Sequence, residues 1–157
     1  MAVKKKPVKS SSSPKLLYAK SEAALLGAIE IYNKPNFLYR EELFTILIVN
    51  AWELFLKSKI LKINNNKLNT ILAYEHPKKK DGSRSKARVI KRNRSGQPMT
   101  IDIFSALKKL TNQLPNNLRD NIEAMVEIRD NAIHFRNENA NFAALVQGYC
   151  QASVKTM

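Results

Sequence analysis

Two side chains in the segment N-L-R-D-N-I-E-A-M-V-E-I-R-D-N-A-I-H-F, residues 117–135, are equipped for phosphodiester chemistry. Arg129 offers a permanently charged planar fork that fits phosphate oxygens, and His134, five positions on, carries an imidazole that titrates near neutrality. Together they suffice for RNA cleavage through the neighbouring 2′-hydroxyl. His134 would remove the hydroxyl proton or protonate the leaving oxygen, and Arg129 would stabilise charge on the phosphorane. The products would carry 2′,3′-cyclic phosphates, and no metal or other cofactor is required. Asp130 and Asn131 precede His134 by four and three residues, where either can orient the imidazole or hold a phosphate oxygen. The plainer alternative is a surface histidine beside a capping aspartate. One R-x-x-x-x-H spacing does not separate the two.

The element that positions these groups is an amphipathic helix. At about 100° per residue, Ile122, Met125, Val126, Ala132 and Ile133 form one apolar stripe with Arg129 at its centre. A charged group in a core-facing lane needs an anion, an acidic partner or a solvent-filled cleft. Glu53 is the candidate partner. It belongs to a polar lane, Asn50, Glu53 and Lys57, on another helix, and its alternative is an i,i+4 pair with Lys57 on an exposed strip. Arg129 and His134 point about 140° apart around their own axis. A two-fold pairing of the Asn117 to Phe135 helices would set one copy's Arg beside the other's His, so a homodimer is expected.

Apolar spacing marks a first helix over 15–33, stopped by Pro35, and a central helix over 38–62 that is apolar nearly all round. Asn64 to Asn66 punctuate, and Leu68 to Tyr74 adds a turn or two before His76-Pro77. A short helix follows around Ile103 to Leu110, then one capped by Asn116 or Asn117 and running to Phe135, then a last one over 139–153. The expected fold is an all-α bundle of about four main helices, spanning 15–157 behind a disordered basic tail, 1–14. A basic insertion over 76–99 interrupts it, read as a hairpin or a flexible excursion with a Ser95-Gly96 turn. Trp52 and the phenylalanines belong to the core, and His76 to a loop.

The charge is unevenly placed. Of a net +14, residues 1–20 hold six lysines and no acid, and residues 78–94 hold nine basic side chains against Asp81. The rest is formally neutral, twelve basic against twelve acidic. Two concentrated basic segments on a neutral body are the footprint of a polyanion binder, since neutralising phosphates releases counterions. Lys78, Lys79, Lys80, Arg84, Lys86, Arg88, Lys91, Arg92 and Arg94 are therefore the expected nucleic-acid-binding residues. A solubilising tail plus a solvated loop is the bland alternative.

The stretch Glu127 to Phe135, E-I-R-D-N-A-I-H-F, resembles the signature of the HEPN superfamily, in which the arginine is followed by a polar residue and then, four to six positions on, by the histidine. Ser21 to Pro35 (S-E-A-A-L-L-G-A-I-E-I-Y-N-K-P), Asn50 to Lys57 (N-A-W-E-L-F-L-K) and Ser95 to Thr100 (S-G-Q-P-M-T) resemble a bacterial HEPN-like family of unassigned function. The resemblance implies a small helical bundle acting as a metal-independent endoribonuclease, often a toxin or antiviral-defence effector. It also implies an active site shared between two copies, RNA as substrate, and an antitoxin or defence partner. Members of that bacterial family are usually longer, so a further C-terminal part is expected.

Other classes lack support. Cys150 is the single cysteine, so no intramolecular disulfide is expected, and with two histidines the metal-ligand inventory is poor. The four glycines form no phosphate loop, and no G-x-S-x-G elbow is present. Leu43 to Leu56 is short of the ~20 residues needed to span a bilayer, and the lysine-rich start resembles no secretion signal, so a cytoplasmic location without a membrane partner is expected. The competing function is a non-catalytic nucleic-acid-binding or dimerisation module in which Arg129 merely satisfies a buried carboxylate.

Overall fold

The computed structural model describes residues 14–79, 82–134 and 140–154, with the backbone alone at 133–134, 140–143, 150 and 153–154. It is an all-α bundle: α1 (Pro14–Tyr32), α2 (Arg40–Ile63), α3 (Ile103–Lys109), α4 (Asn116–His134) and α5 (Ala140–Val154). A small two-stranded sheet, β1 (Tyr74–Glu75) with β2 (Val89–Ile90), lies between α2 and α3.

Proline opens α1, where its missing N–H costs nothing. The helix lies antiparallel to α2, because the Ser58 hydroxyl donates to the Pro14 carbonyl (2.8 Å) and the Ser21 hydroxyl to the Ala51 carbonyl (3.0 Å). Small residues at the contact, Ser21 and Ala28, let the two backbones approach. As its apolar girth requires, α2 is central, touching α1, α3, α4 and α5. Trp52, Ile48, Leu56 and Leu61 are fully buried on it, against Leu107 and Leu110 after the insertion, Ile122, Met125 and Val126 on α4, and Val146 on α5. The chain leaves α2 through Asn65 and Asn66, both at positive φ, a conformation asparagine tolerates. In α4 the Pro115 carbonyl accepts from the Arg119 amide (3.2 Å), so the helix begins at Asn116.

The insertion is ordered further toward its N-terminal side than the sequence suggests. Leu68–Thr70 is a single 3₁₀ turn, and Tyr74 belongs to a strand, not to a helical turn. Tyr74 pairs with Ile90 and Glu75 with Val89, an arm that continues to Lys78 opposite Arg84. A second arm pairs Arg92 with Pro98 and closes at Ser95-Gly96, where Gly96 takes φ 77°. A third joins Leu72 to Thr100 at the bundle. The three meet in a ring of backbone hydrogen bonds: Ala73 N–H to the Met99 carbonyl (2.9 Å), Met99 N–H to the Lys91 carbonyl (2.8 Å), and Lys91 N–H to the Ala73 carbonyl (2.9 Å). Of the basic tail read from the sequence over 1–14, residues 1–13 lie outside the described residues, and Pro14 is instead the first residue of α1.

Candidate functional site

On α4 the apolar stripe is confirmed at Ile122, Met125, Val126 and Ala132, all buried. Arg129 is not sealed beneath it. Its side chain keeps 27% exposure and folds back on its neighbour: Nε donates to Asp130 Oδ1 (2.9 Å), and Nη2 lies 2.7 Å from the same oxygen. Asp130 is itself 55% exposed. An ion pair so open to water contributes about 0–1 kcal/mol, so a phosphate with more charge competes for the guanidinium. Asn131 is exposed. His134 ends α4 by its backbone, and its side chain lies outside the described residues.

Glu53 is not Arg129's counter-ion. It is ion-paired with Lys57, one turn along α2. The strip holding that pair is not exposed either: Lys57 retains 7% exposure because the root of the insertion packs over it, and its ammonium also donates to Thr100 Oγ1 (2.8 Å). Lys57 acts further on Asp102, the N-cap of α3, which accepts from the Ser105 amide (2.7 Å). Hydrogen bonding from the Ser105 side chain, then from its amide, holds the Asp102 carboxyl below its ordinary value; partial burial opposes this and the Lys57 cation reinforces it. A buried ammonium thus ties central helix, insertion and α3 together.

The expected nucleic-acid-binding residues divide. Lys78, Lys79, Arg84, Lys86, Arg88, Lys91, Arg92 and Arg94 are all exposed, while Lys80 lies outside the described residues. Arg92 Nη1 donates to the Gly96 carbonyl (2.7 Å), bracing its own turn. The Arg88 guanidinium lies over the Tyr74 ring, 5.0 Å from its centroid. Arg88 and Lys91 line an open groove of about 920 Å³ between the insertion and α3. Its other polar lining includes Asn69, Asp102 and Ser105, with Lys108 and Lys109 from the last turn of α3. Those two lysines were missed because charge counted along the chain is balanced there. Their signal was limited to the Asp102 cap, which marks the start of α3 beside the insertion and so places its basic last turn seven residues on.

Among the described residues no cluster of three or more His, Cys, Asp or Glu could hold a metal ion, and no helix is long and apolar enough to cross a membrane. No curated protein and no solved structure matches the chain. Residues 16–156 match the model of a family described as "Domain of unknown function (DUF3644)", and the chain belongs to that family.

Proposed function

We propose that this protein is a metal-independent endoribonuclease of HEPN type, acting as a toxin or antiviral-defence effector. The observation that carries the reading is the placement of Arg129: partly exposed, balanced by an exposed neighbour, and independent of Glu53. A guanidinium kept only to neutralise a core carboxylate would be buried against it. One that handles a phosphodiester must be reachable and only loosely held.

In this reading the scissile phosphate displaces Asp130 from Arg129, whose fork then stabilises the phosphorane. The released Asp130 lies one turn before His134 and can orient the imidazole. His134 takes the 2′-hydroxyl proton or protonates the departing 5′-oxygen. Two copies pair through α4, so that each cleft draws its Arg and its His from different chains. Purified protein incubated with tRNA and unstructured RNA in EDTA should yield 2′,3′-cyclic phosphate ends, and His134→Ala should abolish them. Undiminished cutting by an Arg129→Ala/His134→Ala double variant refutes the assignment.

One observation favours a second reading, a non-catalytic nucleic-acid-binding or dimerisation module. The chain's cationic excess within the described residues is borne by the insertion, remote in sequence from Arg129. That reading gives salt-sensitive RNA binding with no products.

A further inference from the structure

The groove between the insertion and α3 joins cations from two segments, Arg88 and Lys91 on one wall and Lys108 and Lys109 on the other. We propose that it is a binding site for single-stranded RNA, with phosphates lying against Lys91, Lys108 and Lys109 and one unpaired base stacked on the Arg88–Tyr74 pair.

Three features support the assignment, and the first of them selects a single strand. The Arg88 guanidinium is exposed above the Tyr74 ring, a flat cationic surface on which a base can stack only when it is free of its complement. The groove, about 920 Å³, has room for a short stretch of strand. Four cations face one carboxylate, and that carboxylate, Asp102, is already committed to the Ser105 amide and neighboured by Lys57. The lysines at the end of α3 also complement its helix dipole. Arg88 and Lys91 have no such duty, and their convergence on the same groove points to an external anion. The choice of RNA over DNA rests on the function proposed above; the groove's preference for a single strand does not.

The test is fluorescence anisotropy on the full chain with a short labelled single-stranded RNA, the same RNA as a duplex, and the matching single-stranded DNA, each over a salt series. Arg88→Lys keeps the charge and loses the planar stack; it should weaken single-stranded RNA about fivefold or more and leave the duplex unchanged. Lys108→Ala/Lys109→Ala should lower the salt slope for the single strand by about 1.4, two contacts at about 0.7 each. Unchanged thermal melting of each variant certifies the fold. The proposal is overturned if Arg88→Lys binds like wild type, if single strand and duplex weaken equally, or if the DNA binds as tightly as the RNA. Cleavage is read separately: Arg129→Ala/His134→Ala protein that binds normally and does not cut keeps both proposals. Normal binding by a wild type that never cuts removes the nuclease and leaves the groove standing.

Discussion

Lys57 offers a perturbation whose size can be worked out. Lys57→Ala removes three buried methylenes, worth about 0.8 kcal/mol each, and a charged hydrogen bond to Thr100, generally worth about 1.5–3 kcal/mol. Thr100 is exposed and Glu53 is 30% exposed, so both partners regain water and the polar loss falls at the low end of that range. Relief from burying the ammonium runs the other way, several kcal/mol for an isolated ion. The balance is a destabilisation of about 2–3 kcal/mol for Lys57→Ala. Lys57→Met keeps the apolar stem without the charge and should stay within about 1 kcal/mol of wild type. Urea denaturation near neutral pH measures both. Hydrogen exchange at the Ala73 and Ile101 amides, which bond to Met99 and Ile71, reports whether the root of the insertion loosens. Equal costs for Ala and Met, or no cost for either, would refute the picture of a packed stem carrying a paired charge.

Three further outcomes are expected. Because the Asp102 carboxyl is held low in the folded state, its stabilisation is complete above the unfolded value of about 3.9 and is lost as pH falls through the lower folded value; denaturation midpoints over an acid series should show that loss in wild type and not in Asp102→Asn. The Trp52 indole N–H is buried with no hydrogen-bond partner among the described residues, so Trp52→Phe trades lost packing against relief of an unsatisfied donor and should cost less than the ~3–5 kcal/mol of an aromatic truncation to alanine. Gly96 sits at φ 77° with open space where a Cβ would point, so Gly96→Ala should strain only the backbone, costing about 1 kcal/mol by thermal denaturation and leaving the α4 amides' exchange rates unchanged.

The helices were legible because their signals are local. Pro35, the asparagines after Ile63 and Pro115 stop or start chains of apolar residues at the right spacing. Arg129's real setting was not legible: a helical projection puts it in the stripe, yet its long side chain reaches the residue beside it, a neighbour that i,i+1 geometry does not bring face to face. Lys57 looked solvated because Asn50 and Glu53 share its lane. What buries it is the strand root ending at Thr100, 43 residues away, and nothing in the local pattern announces that contact. The Ser95-Gly96 turn was readable from its residues. The pairing of Tyr74 with Ile90 depends on tertiary closure and was not.

The ring of amides at Ala73, Lys91 and Met99 has a consequence for how the molecule can vary. Each arm is clamped by the other two, so a slip in one would have to be matched in both neighbours at once. The outer loops, around Gly82 and around Gly96, are therefore insulated from the strand register. Residues can be added or removed at those two ends, by natural drift or by grafting a fluorophore site, while the alignment at the trunk holds.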